Sequence, residues 1–150
     1  MAREQISEQA TLQVNMYHTL LDRLQNVSDL SQTEHYALAF LVDAIAQEPA
    51  TQRQHSFSTL LAEISPSSDA KDISSNTWKL AQAFHTRYEA FLVHETAQTS
   101  DPIRQKNLQI LRTALLGDMK HRETLHQTGK RVPIGSVIFE HLPSWFSTVK

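Results

Sequence analysis

Apolar residues recur three and four positions apart along most of this chain, the spacing that places them on one face of an α-helix. Polar stretches and prolines divide this pattern into segments of helical length. The pattern predicts an all-α fold, a single-domain bundle of about five helices spanning residues 1–150, with a short apolar segment at residues 130–150. The predicted helices cover residues 4–27, 32–47, 51–64, 75–97 and 102–128.

Capping residues support several of these boundaries. Ser31 and Glu34 have the spacing of a capping box, in which the hydroxyl and the carboxylate each bind a free backbone amide at the helix start. Asp101 followed by Pro102 favours another helix start, because proline fits the first helical position. Gly129 suits the left-handed conformation that often ends a helix, so we expect the last helix to stop there.

The predicted inward faces are aliphatic and aromatic. Phe84 and Tyr88 lie at the centre of the fourth helix, where large rings most simply fill a core. His18 lies well outside the inward sector of the first helix, so we expect it to be exposed. The main predicted core residues are Leu20, Leu24, Ala37, Leu38, Leu41, Ile45, Phe57, Leu60, Leu61, Ile64, Ala81, Phe84, Tyr88, Phe91, Leu92, Leu108, Leu111 and Leu115.

The fifth helix changes character towards its end, because its apolar face continues into Asp118 and Arg122. These two residues have the favourable acid-then-base spacing of a helical ion pair. Exposed, the pair would contribute little; buried, it would point to a functional role. Gly117 beside it costs about 1 kcal/mol relative to alanine inside a helix. We expect a close approach of another helix to offset this cost; a break in the helix or a ligand pocket are the alternatives.

Charge is distributed unevenly along the chain. The formal net charge is −2, but residues 1–100 carry six Lys and Arg against twelve Asp and Glu, whereas residues 101–150 carry eight against four. We expect the basic C-terminal third to lie against acidic neighbours within the domain. An acidic partner is the alternative interpretation.

Composition excludes several classes of function. The chain has no cysteine, and therefore no disulfide, thiolate metal site or catalytic thiol. It has no nucleophile elbow, phosphate-binding glycine loop or zinc-protease motif, so nothing indicates an enzyme. It also lacks nucleic-acid-binding signatures, a leader-like N-terminus and any apolar run of membrane-spanning length. We therefore expect a cytoplasmic protein that needs no cofactor and binds neither nucleic acid nor membrane.

Eight histidines require a test of ligand or metal binding. Several have a carboxylate three or four positions away, which places both side chains on one helix face. Only Glu123 and His126 form the Glu-x-x-His motif of di-iron bundles, and a second copy is missing. A bundle binding a planar, haem-like ligand or an iron or zinc ion is thus the alternative function. Its candidate residues on the fourth and fifth helices are His85, Glu89, Gly117, Asp118, His121 and His126.

The segment between residues 132 and 146 contains eight large apolar residues. Such a density leaves a large exposed patch on a soluble monomer unless the segment packs against something. We expect Val137, Ile138 and Leu142 to pack on the bundle, and Trp145, Phe146 and Phe139 to bind a protein partner or a second copy. The leading hypothesis is a non-enzymatic interaction or regulatory module that acts through a protein partner or through self-association.

Overall fold

The computed structural model describes residues 2–24, 30–65 and 69–135, with residues 2–10 and 70 described by their backbone alone. This part of the chain forms five helices and no strand, which confirms the predicted all-α fold. No described helix contains a window hydrophobic enough for a membrane-spanning segment. The helices are α1 (Ala2–Arg23), α2 (Gln32–Ala46), α3 (Ala50–Glu63), α4 (Ala70–Gln98) and α5 (Pro102–Gln127).

The predicted caps are present. Ser31 and Glu34 form both hydrogen bonds of a capping box at the start of α2. Asp101 accepts a hydrogen bond from the backbone amide of Ile103 at the start of α5. At the end of α5, Gly129 has a φ of 76°, and the amides of Gly129 and Lys130 donate back to the last turn in the pattern of a Schellman motif.

The start of the fourth helix is the largest error among the predicted boundaries, because α4 begins at Ala70, five residues earlier than expected. Ser74 in the added turn, and Asn76 and Thr77 just after it, favour helices only weakly. Each is buried and has a hydrogen-bond partner: Ser74 donates to the carbonyl of Lys130, Asn76 binds the backbone of Ser65, and Thr77 donates to the preceding turn. These bonds offset the weak intrinsic propensity.

The central helices are α2 and α4. α2 packs against α1, α3 and α4, and its inward side chains Leu38, Leu41 and Ile45 are fully buried. An aromatic group links the two helices, with the ring of Phe40 5.5 Å from that of Tyr88 and 5.6 Å from that of Phe84. The aromatic prediction for α4 is therefore confirmed: Phe84 and Tyr88 are fully buried in the core, and Phe40 packs against them.

The remaining helix, α5, lies on the outside of this core. It forms an antiparallel hairpin with α4 and packs against none of the other four helices that the structure describes except α4. Leu108 and Leu115 are buried against α4, as predicted, whereas Leu111 is only partly buried. Because α4 alone among the described helices covers α5, a wide part of the surface of α5 is exposed.

Candidate functional site

The six residues of the predicted ligand cluster do not share one site. His85 on α4 and Asp118 on α5 face each other across the hairpin, close enough for electrostatic interaction, and Glu89 is one turn along from His85. Gly117 and His121 are exposed on the opposite side of α5.

The sixth residue, His126, lies near the end of the hairpin. Its ring stacks on the indole of Trp78, with ring centroids 4.9 Å apart and planes inclined by 11°. Its Nδ1 atom is buried and has no hydrogen-bond partner among the described residues. This stacking joins α4 to the last turn of α5.

His85 is partly buried, and its Nε2 atom has no hydrogen-bond partner in the part of the chain that the structure describes. Burial lowers the pKa of His85 below its ordinary value of 6.5. The carboxylates of Glu89 and Asp118 act in the opposite direction, and the charge of Arg122 lowers the pKa further. The imidazole is therefore held towards its neutral form.

Both carboxylates near His85 already have cationic partners. Glu89 binds the guanidinium of Arg112 at 3.2 Å, and Asp118 forms an ion pair with Arg122. Within the described ranges, no three His, Asp or Glu side chains are arranged as metal ligands. The hairpin therefore brings together one histidine and two carboxylates, each of which already forms an ion pair with an arginine.

Arg122 is buried, with 4% of the residue exposed, and the sequence left its burial open. Its Nε atom donates a 2.9 Å hydrogen bond to the carbonyl oxygen of Pro133 while Asp118 pairs with the other end of the guanidinium. A buried charge requires such partners, because an uncompensated one is strongly destabilising. Arg122 thus attaches the segment after α5 to the α4–α5 hairpin.

A second buried charge fixes the same segment to α2. Glu34, 4% exposed, accepts hydrogen bonds from the Arg131 guanidinium at 2.9 and 3.1 Å and from the Ile134 amide at 2.9 Å. We call Glu34, Arg131 and Ile134 the C-terminal latch. Val132 and Ile134 are buried between these contacts. The sequence indicated only the capping role of Glu34, because no local pattern reveals a partner about 100 residues away.

The latch ends at a tight contact with α2. Gly135 has a φ of 95°, and a Cβ atom at this position would lie 2.7 Å from that of Ala37. Only glycine fits both conditions without strain. The chain beyond, with Val137, Ile138, Leu142 and the predicted partner-binding residues Phe139, Trp145 and Phe146, lies outside the described residues.

The outer face of α5 contains Ile103, Ile110, Ala114, Gly117 and His121. Ile103 is 72% exposed and Ile110 56%, and a Cβ atom added at Gly117 would meet nothing within 4 Å. The expected close approach of another helix at Gly117 is therefore wrong for the described chain. A break is wrong too, because α5 is continuous from Pro102 to Gln127.

The arginines and the lysines of α5 differ in whether they form ion pairs with described residues. Arg104, Arg112 and Arg122 on α5 each form an ion pair with a carboxylate of α4 or α5, as expected of a basic helix lying against acidic neighbours. Lys106 and Lys120 are exposed and form no ion pair with any described residue. The positive charge that remains available on α5 thus belongs to these two lysines.

Comparison with known protein families, curated proteins and solved structures finds no match to this chain.

Proposed function

We propose that this chain is a non-enzymatic interaction module that acts through association with a protein partner or with a second copy of itself. The observation that carries this proposal is the outer face of α5. Its two isoleucines are more than half exposed, and α4 is the only helix in the described part of the chain that covers α5. Exposed apolar side chains that line up on one face are typical of protein-binding surfaces.

The C-terminal segment supports the same function. Hydrogen bonds to Arg122 and Glu34 fix the backbone at Pro133 and Ile134. The residues after Ile134 therefore continue from a fixed position beside α2. We propose that Trp145, Phe146 and Phe139 beyond this point bind the partner, because large aromatic side chains provide much of the energy of many interfaces.

A truncation tests the contribution of this segment. Deleting residues 143–150 removes Trp145 and Phe146 but leaves the latch intact. We expect the free energy of unfolding to change by no more than about 1 kcal/mol while association is lost. Sedimentation velocity of the purified chain measures self-association, and affinity purification compares protein partners of the full and truncated chains.

A surface variant serves as the matched control. Val14 is 53% exposed on α1, away from α5, so Val14→Asp should leave association unchanged. If neither the truncation nor Ile110→Asp on α5 changes any association, the interaction hypothesis is wrong. A truncated chain that unfolds would instead show that residues 143–150 belong to the core.

A ligand-binding function is the second candidate, and one observation favours it. The Nε2 atom of His85 has no hydrogen-bond partner among the described residues, although two carboxylates lie nearby. Metal analysis and an absorbance scan of the purified protein test this candidate directly. Stoichiometric iron or zinc that is lost in His85→Asn, or a haem absorbance band, would support it; a metal content unaffected by His85→Asn would count against it.

A further inference from the structure

The outer face of α5 has the geometry of a helix-pairing surface. Successive residues of an α-helix are rotated by about 100°, so Ile103, Ile110, Ala114, Gly117 and His121 lie within a sector of about 60°. Their spacing of seven, four, three and four residues follows the period of helix pairing. A shallow groove of about 480 Å³ lies along one edge of this sector and is lined by Lys106, Gln109, Ile110, Thr113 and Ala114.

Charge determines which helix this surface fits. Lys106 and Lys120 lie on the same flank of the outer face, fourteen residues and thus about 21 Å apart along the helix axis. Both are exposed and form no ion pair within the described chain. The carboxylate on the other flank, Asp118, is already bound by Arg122. The flank available to a partner is therefore cationic.

We propose that the outer face of α5 binds an amphipathic helix of a partner protein whose apolar stripe is flanked by Asp or Glu. This inference rests on the proposed function and specifies the chemistry of the partner. The apolar side chains of that helix would cover Ile103 and Ile110 and pass over the small residues Ala114 and Gly117. Its carboxylates would face Lys106 and Lys120, the arrangement in which opposite charges select a partner and its orientation.

A second copy of the chain fits this surface less well. If two α5 helices pair in antiparallel orientation, the flank with Lys106 and Lys120 meets the same flank of the other copy. Like charges placed opposite each other disfavour that pairing. In parallel orientation this flank meets the side with Arg104 and Asp118, whose charges already form ion pairs. The surface therefore selects an acidic helix from another protein.

The test uses two synthetic helical peptides with the same apolar stripe, one with Glu and one with Lys at its flanking positions. Binding to the full chain is followed by fluorescence anisotropy. We expect the Glu peptide to bind about tenfold or more tightly than the Lys peptide. The difference should shrink as the salt concentration rises from about 0.05 to 0.5 M, because salt screens exposed charges.

Variants of the chain identify the surface. The double variant Lys106→Glu/Lys120→Glu reverses both charges and should bind the Lys peptide more tightly than the Glu peptide. Ile110→Asp should abolish binding of the Glu peptide. Val14→Asp, at a similarly exposed position on α1, should bind like the unaltered chain. All these positions are exposed, so each variant should fold, and circular dichroism of each variant checks this.

The outcomes separate the inference from the proposed function. Equal binding of both peptides, binding of neither, or binding unaffected by Ile110→Asp would overturn the acidic-helix proposal. Self-association that Ile110→Asp removes would also overturn it and would identify a second copy as the occupant, while the interaction function itself would stand. The function fails separately, if neither Ile110→Asp nor removal of residues 143–150 changes any association.

Discussion

The buried carboxylate of Glu34 provides the most direct test of how the C-terminal segment is held. Glu34→Gln preserves the shape of the side chain and removes its charge. In the folded chain this carboxylate accepts hydrogen bonds from the amides of Ser31 and Ile134 and from the guanidinium of Arg131. We expect the substitution to weaken all of these bonds at once.

The size of the effect follows from burial. Breaking a fully buried ion pair costs about 3–5 kcal/mol. Arg131 retains 27% of its side-chain exposure and can turn towards water, and glutamine keeps one acceptor oxygen, so the loss is smaller. A hydrogen bond to a charged group contributes about 1.5–3 kcal/mol. We therefore expect Glu34→Gln to lower the free energy of unfolding by about 2–3 kcal/mol, and Tm by about 4–12 °C.

Denaturation in guanidinium chloride, followed by circular dichroism at neutral pH, measures this loss. Glu89→Gln is the matched control, since Glu89 also pairs with an arginine but with 30% of its side chain exposed and 49% of that of Arg112. Exposed pairs of this kind contribute less than about 1 kcal/mol. A loss for Glu34→Gln no larger than that of the control would show that the latch does not stabilise the fold.

Five further variants test the packing and the charges of the bundle by the same denaturation assay. Gly117→Ala should stabilise the fold by about 0.5–1 kcal/mol, because the new methyl group enters open space; Gly135→Ala should destabilise it by about 1–3 kcal/mol, since its Cβ atom would meet α2. Phe84→Ala should cost about 3–5 kcal/mol, and an unchanged midpoint would mean that the inward face is misassigned. By contrast, His18→Ala should stay within about 0.5 kcal/mol of the unaltered chain. Because burial lowers the pKa of His85, the unfolded chain binds a proton before the folded one, so stability should fall as the pH drops below about 6.5. His85→Asn should lose less stability over that range, and parallel curves for the two proteins would contradict this reasoning.

Local patterns sufficed to predict the helices, because helical periodicity and capping act within a few residues. The start of α4 was missed because Ser74 looks unfavourable for a helix until its partner is known. That partner is the carbonyl of Lys130, which lies 56 residues away along the chain. Tertiary hydrogen bonds of this kind override intrinsic propensity.

The candidate sites were predicted less well, for a related reason. The sequence placed Gly117 on a face that another helix could approach, but among the described helices α5 packs against α4 alone. It also grouped His121 with His85. His85 is on α4 and lies near Asp118 of α5, whereas His121 is exposed on another side of α5. Periodicity indicates which residues share a face, but not how many neighbours cover that face. For that reason the residues that share the outer face of α5 could be predicted, whereas the exposure of that face could not.

The latch joins positions that lie 100 residues apart, and this separation has a consequence for folding kinetics. α4 and α5 are connected by only three residues and can pair early, whereas Glu34 meets Ile134 only after both have found their places. We expect the latch to form after the rate-limiting step, so that it slows unfolding without accelerating folding. The latch should also be the first contact to open, which would let a protease reach residues 130–134 while the five helices remain assembled.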